Sequence, residues 1–365
     1  MSTRRFDLPA PSDRRRWNDS RATITSAPPI PDSLKPLAPR LTPTVFHEDW
    51  WLNAVTGGDY REASVRSGNQ IIGRLPYQYK RYAGMTECIL PQLTPLLGPA
   101  IDDGDGRETV RRQIRRSVTL ELLDQIPACS RFHQRLHGGI ADTLAFLERG
   151  FKTEAEFAYI VEPAAVDQLW KNVRDTTRRV IRRAEDQGRI LDLDPGDFAR
   201  FYIDNLRGRG KSYNYMWRSS IQPALQEAID RGRGRLLAAE DMAGKIAAAI
   251  FILCDDRTTH LVLTTRAPDS HSGQISKLIW HAMQSSAEQG RTFDFGGVGT
   301  PGSVLFYANF GGITQPRYLV HKETPVFDLL DFSRRKLLSL QGRMAGALSR
   351  LTTAPAPGRL AGHPR

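Results

Sequence analysis

The sequence predicts an α+β protein of two related modules, each a mixed, mostly antiparallel sheet flanked by helices, with disordered tails at both ends. Three observations predict it. The second half runs as a short strand, two helices, three strands, a helix, a strand, a short helix and a strand, which is an α+β layer order. The first half echoes that order as helix, hairpin, helix and strand. Between them lies an arginine-rich amphipathic stretch, Ala165–Gln187, of helical period. The length of 365 residues exceeds one typical domain and suits two modules.

The elements follow in order. Residues 1–43 hold eight Pro and no apolar period, so they cannot offset their ordering entropy by burial. The end, 351–365, with Ala-Pro-Ala-Pro-Gly, reads the same way. A helix is expected over Phe46–Val55, stopped by Gly57-Gly58, then strands Arg61–Arg66 and Ile71–Arg81 around the hairpin signal Ser67-Gly68-Asn69. A helix over Glu108–Gln125 and strands over Ser130–Leu136 and Glu156–Val161 complete the first half. The Ala165–Gln187 helix, ended by Gly188, sets Trp170, Val173, Thr177, Ile181 and Ala184 on one face. Arg174, Arg178 and Arg182 form a row at four-residue spacing on it. The second half then reads as strand Ile190–Leu193, helices Gly196–Arg207 and Arg218–Arg231, and strands Arg235–Glu240, Ile246–Cys254 and His260–Thr265. It ends with helix Ser270–Gln289, strand Thr292–Phe295, helix Ser303–Phe310 and strand Arg317–His321.

Composition bounds the function. Forty per cent apolar residues and fifteen Phe suffice for a sizeable core. No run of eighteen apolar residues suggests a membrane span, and no apolar leader opens the sequence. Cys88, Cys129 and Cys254 lack metal or disulfide spacing, which points to a reduced, cytoplasmic setting. The net charge of +11 fits a polyanionic partner such as tRNA, a nucleotide-linked substrate or coenzyme A. A preference for Arg over Lys, without function, accounts for it equally.

Several motifs carry chemistry. Gly297-Val298-Gly299-Thr300-Pro301-Gly302 matches G-x-G-x-x-G, but it follows antiparallel strands and contains Pro, so a turn admitting backbone amides to a ligand reads better than a dinucleotide loop. Ser272, Gly273 and Gln274 open a helix just after a strand, where free amides suit a phosphate or carbonyl oxygen, and Lys277 lies one turn on. An ordinary N-cap by Ser270 or Ser272 is the plain alternative. Asp294, between Phe293 and Phe295, either caps the following turn or faces a pocket as a proton-accepting carboxylate. Tyr213, Tyr215 and Trp217 beside a basic loop suit a nucleobase or sugar, or else a packed lid edge. His133 and His137 share one helical face at i, i+4 without an acidic ligand nearby, so both read as structural and no metal site is expected.

The segment Leu169–Gly188 resembles the R-x-x-I-R-K-A-x-x-x-G helix of FemAB-like proteins in the GNAT superfamily. Gly290–Gly297 followed by Phe306–Gly312 looks like that family's G-x-x-x-F-D-F-G-G … F-K-x-x-F-G-G ending, and Gly73-Arg74-Leu75-Pro76-Tyr77 is similar to its first-module strand. The resemblance covers roughly residues 45–325 and implies two tandem GNAT-like modules. The division is then a Pro/Arg-rich tail 1–43, modules 44–163 and 189–350 (the latter with a C-terminal helix), a connecting helix 164–188 and a tail 351–365.

Relatives move a carbonyl-activated group to an amine, and the peptidoglycan interpeptide transferases take it from aminoacyl-tRNA. The resemblance implies Asp294 and Tyr307 as catalytic and Ser272, Gly273, Gln274, Lys277, Gly296, Gly297 and Phe306 as donor-binding. Tyr213, Tyr215, Trp217 and Arg266 fall to the acceptor or a nucleotide, and Arg174, Arg178 and Arg182 to tRNA. Tyr307 stands where the family has Lys: it can donate a hydrogen bond but brings no charge. The acyl-CoA pyrophosphate loop, Q/R-x-x-G-x-G/A, is absent before the Ser270 helix. The expectation is therefore an aminoacyl-tRNA-dependent transferase acting on a small-molecule or peptidoglycan-precursor amine, with no tightly bound cofactor and no integral membrane association. An acyl-CoA N-acyltransferase is the alternative, and a non-catalytic binding protein the third reading.

Overall fold

The computed structural model describes residues 25–26, 39–82, 84–208, 215–271, 273–297 and 300–329, and the structural statements below concern these. The first half contains β1 (Thr25–Ser26), α1 (Asp49–Thr56), β2 (Arg61–Ser67), β3 (Gln70–Tyr82), β4 (Met85–Ile89), β5 (Ala100–Ile101), α2 (Glu108–Asp124), β6 (Arg131–Arg135), α3 (Leu144–Glu148) and β7 (Lys152–Val161). Then come α4 (Val166–Asn172), α5 (Asp175–Glu185), β8 (Arg189–Asp192), α6 (Pro195–Gly208) and α7 (Tyr215–Asp230). The chain continues through β9 (Gly234–Glu240), β10 (Ile246–Cys254), β11 (Thr258–Arg266), α8 (Gly273–Glu288), β12 (Thr292–Gly297), α9 (Pro301–Ala308) and β13 (Ile313–Glu323).

The strands form one sheet in the order β1-β2-β3-β4-β6-β13-β7-β12-β11-β10-β9-β8, with β5 beside β3. Its two halves repeat one plan. In the first, β3 and β4 are antiparallel and α2 carries the chain to β6, parallel to β4. In the second, β10 and β11 are antiparallel and α8 leads to β12, parallel to β11. Each half then sends its last strand across: β7 pairs with β12, and β13 pairs with β6. β7 and β13 pair with each other at the centre. The expected tandem α+β modules are thus present and exchange their closing strands.

Packing follows the side-chain pattern. β10 is buried almost throughout and reads as a continuous apolar run, as a strand covered on both faces must. Alternate residues divide between two cores. Phe251 and Leu253 pack with α1, α6 and α7, while Ile250 and Ile252 pack with α4, α5 and α8. The first half has its own core between α2 and the sheet, around Leu75, Leu122 and Phe132.

Four expectations are corrected. The helix over Ala165–Gln187 is two helices, because Val173 and Arg174 are extended and the Arg174 amide donates to the Asn309 carbonyl beyond α9. That tertiary bond overrides a continuous helical period. The face assigned to it is nonetheless buried at Val173, Thr177, Ile181 and Ala184. The ordered body begins before residue 44: Leu41 is buried, and Arg40 pairs with Asp102 and Asp105. His133 and His137 share no helical face, since His133 lies in β6 and His137 just beyond it. Finally, α9 starts earlier than expected, at Pro301, where Thr300 and Ser303 form a reciprocal capping box. The remainder of the 1–43 tail, the 351–365 tail and residues 330–350, where the C-terminal helix was expected, lie outside the described residues.

Candidate active site

β11 and β12 pair in parallel only at Thr258↔Thr292, Thr259↔Phe293 and His260↔Asp294. β11 then runs on to Arg266 and β12 to Gly297 with no ladder between them among the described residues. The two strands therefore open as a wedge just beyond Asp294. Gly296, at φ +74°, makes the turn on the β12 side, and its amide donates to Asp294 Oδ1 at 2.8 Å. The turn-capping reading of Asp294 is therefore realised.

Strand alternation sends Phe293 and Phe295 into the α8 core and Asp294 to the opposite face. There Asp294 is 1% exposed and meets Arg317 and His260. Arg317 Nη2 of β13 donates to its Oδ2 at 2.6 Å, and His260 Nδ1 lies 3.1 Å from the same oxygen. On its other side, His260 Nε2 faces Asp255 Oδ2 at 3.4 Å. Burial alone would raise the Asp294 pKa, but His260 and Arg317 hold it well below the usual carboxylate range. Burial would likewise lower His260, yet its bonds to Asp255 and Asp294 raise it above its ordinary value. The group is a chain of alternating charges. A carboxylate held this firmly as an anion is a poor base.

This chain forms part of the lining of a cavity of about 740 Å³ between the two halves. Ile160, Asp294, His260 and Arg317 line it together with His137 and the arginines of α2. Burial lowers the His137 pKa to about 4, which keeps that imidazole neutral, and its Nε2 is 3.3 Å from the Pro99 carbonyl.

The structure sorts the expected site residues into groups. Asp294, Gly296 and Gly297 meet at the wedge. Tyr307 lies on the other face from Asp294, its ring 4.9 Å from that of Phe295, and burial raises its pKa. Phe306 packs on Phe310 beside it. Gln274 lines a smaller pocket of about 360 Å³ at the start of α8, and its buried Oε1 has no hydrogen-bond partner. Arg266 donates to the Ser270 carbonyl just before α8.

Other residues hold elements together. Gly273 permits close packing of α8 on α5, where a Cβ would lie 3.1 Å from Val180. Lys277 is buried and reaches the carbonyls of Ala184 and Gly188 at 3.2 and 2.7 Å, so it caps the end of α5. The arginine row is broken. Arg174 sits between helices against Asn309, Arg178 bonds Asp175 and the last carbonyls of α4, and Arg182 lies over the Trp170 ring. Ser272 and Tyr213 are outside the described residues, as are Val298 and Gly299 of the glycine loop. Tyr215 and Trp217 lie in the first turn of α7, of which only the backbone is described. Sequence reasoning missed His260 and Arg317, and it read the cavity-lining His137 as structural. Arg317 left no local signal, since the strand around it also carries Gln315, His321, Lys322 and Glu323.

Residues 171–303 match the acetyltransferase (GNAT) domain family. Among curated proteins none matches significantly. Among solved structures, FemX superposes with a TM-score of 0.57 at 12% identity, covering 77% of this chain and 93% of that one. The C-terminal domain of a putative lysylphosphatidylglycerol synthetase from Agrobacterium fabrum superposes at 0.51 with 15% identity, covering 82% and 95%. At such identities the likeness is one of fold.

Proposed function

We propose that this chain, whose residues 171–303 match the acetyltransferase (GNAT) domain family and whose fold is similar to that of FemX, transfers an aminoacyl group from aminoacyl-tRNA to an amine held in the cavity between its halves. The observation that carries this reading is the wedge between β11 and β12, whose last paired residues, His260 and Asp294, also line a cavity with seven arginines and four carboxylates. A wedge exposes strand amides that can receive a carbonyl oxygen, and a cationic setting suits a nucleic-acid donor. The two structural neighbours, FemX and a putative lysylphosphatidylglycerol synthetase, agree with aminoacyl chemistry.

In the reaction, the amine nitrogen attacks the ester carbonyl carbon, and the tetrahedral intermediate collapses as the C–O bond to the tRNA ribose breaks. The ribose oxygen leaves with the electron pair and gains a proton, while the nitrogen loses one. On this reading Tyr307, kept neutral by burial on the sheet face opposite Asp294, is the donor-side group assigned to give a hydrogen bond to oxygen during this collapse. Asp294 fixes the charge pattern of the cavity rather than removing the proton. The pocket at the start of α8, with Gln274, extends the donor side. A cytoplasmic setting fits such a donor.

The test exploits the difference between an ester and an amide. Aminoacyl-tRNA carrying labelled amino acids is incubated with the full chain and a pool of small amines, then treated with mild alkali. The ester label is released as free amino acid, whereas amide product keeps it in alkali-stable form. Alkali-stable label from tRNA and none from labelled acetyl-CoA supports the proposal; the reverse result refutes it. The second reading, acyl-CoA as donor, is favoured by the description of the matching family as an acetyltransferase.

A further inference from the structure

We infer that the amine acceptor carries an oxyanion, a carboxylate or a phosphate, close to its reacting nitrogen, and that Arg317 is the residue that selects it. This rests on reading the cavity as the acceptor side of the transfer site, and it names the acceptor's chemical class.

Arg317 is 4% exposed, and its Nη2 is committed to Asp294. Its Nε and Nη1 are also buried and have no hydrogen-bond partner among the described residues. Leaving charged donors unmade in a protein interior is costly, so such an arrangement persists where something else repays it. The side chain lines the cavity, which is large enough to bring a ligand oxygen to those nitrogens. Guanidinium donors match carboxylate and phosphate oxygens in geometry and charge.

The surrounding charges point the same way. The lining carboxylate Asp103 is already bound by Arg111 and Arg115. Asp294 has both oxygens engaged, Oδ1 by the Gly296 amide and Oδ2 by Arg317 and His260. A ligand cation would find neither of these free, whereas an anion meets the two unmade donors of Arg317. Position limits the ligand further. Arg317 and the wedge share Asp294, so an oxyanion on Arg317 lies beside the point where the acyl carbon would sit. Amino acids and amino-sugar phosphates have amine and oxyanion at that kind of separation; plain alkylamines do not.

The test uses the full chain, with inorganic phosphate and acetate as probes at constant ionic strength against a chloride reference. A specific anion raises the melting midpoint in a saturable way that tracks its dissociation constant. Saturable stabilisation by one probe above chloride is expected; stronger phosphate binding assigns a phosphoryl acceptor and stronger acetate binding a carboxylate one. Arg317→Lys keeps a cation but loses the planar donors, and it should need about tenfold more anion. Gln315→Glu puts a carboxylate on the same strand face with Arg317 intact, and should weaken binding to a similar extent. If Arg317→Lys does not fold, Gln315→Glu and the unaltered chain decide. No stabilisation above chloride by either probe, or unaltered binding in the variants, overturns the inference. Anion binding without alkali-stable label would retain this site and remove the tRNA reading; label without anion binding would do the opposite.

Discussion

Replacing Asp294 by Asn leaves His260 and Arg317 as buried cations short of their shared partner. Breaking such a group typically costs about 3–5 kcal/mol, so Asp294→Asn should lower the denaturant midpoint well before any catalytic effect is read. The same chain makes stability depend on pH in two directions. The raised His260 pKa gives stability that is complete below about 6.5 and lost as pH climbs through the folded value. The depressed Asp294 and Asp255 values give stability present above about 4 and lost as pH falls. The melting midpoint should therefore pass over a plateau between these limits, and His260→Gln should flatten its alkaline side. An unchanged alkaline side would remove His260 from the account. Tyr307→Phe tests the hydrogen-bond donor: turnover should fall roughly 10²-fold with donor affinity retained. Equal activity would show that the ring only packs on Phe295. Asp294 was legible in the sequence because a charge between two Phe stands out. Its partners were not, since His260 and Arg317 lie 34 and 23 residues away on strands whose adjacency no local pattern encodes.

Helices and strands were readable wherever one period dominated, as in α2, α8 and β10. The errors fell where tertiary bonds decide. The break at Val173-Arg174 exists because the chain turns there to meet Asn309. The glycine pair after Phe310 belongs to the same contact. Gly311 has φ +79°, and a Cβ there would lie 2.6 Å from the Asn172 carbonyl, while one on Gly312 would lie 2.8 Å from that of Ile160. Gly311→Ala should thus cost about 2–4 kcal/mol, from backbone strain and overpacking together. A variant of unchanged melting temperature would contradict the close approach. Motif resemblance picked out these glycines as the end of the family's closing F-G-G; the structure gives them the task of seating α9 against α4 and β7. Lys277, read beforehand as a donor contact, likewise serves the joint between α5 and α8.

At the scale of the molecule, the exchange of β7 and β13 joins the halves into one sheet. A chain cut after residue 163 removes β7 from between β12 and β13, exposing the edges of both. Residues 164–329 alone should therefore aggregate or stay unfolded, and adding 1–163 as a separate chain should restore soluble material. A soluble, cooperatively melting 164–329 fragment would show that the exchange is dispensable. The sequence conveyed two modules through their repeated element order, but not the exchange, because strand order is set by contacts far apart in the chain. Charge also acts at this scale: with a net charge of +11, tRNA affinity should fall steeply with salt. The most direct measurement of the central claim is the dissociation constant of aminoacyl-tRNA for the full chain as salt is raised, beside that of acetyl-CoA in the same buffer. Micromolar or tighter tRNA binding with a steep salt slope, and weaker acetyl-CoA binding, is the predicted result. Tight acetyl-CoA binding with no tRNA retained at low salt would contradict it.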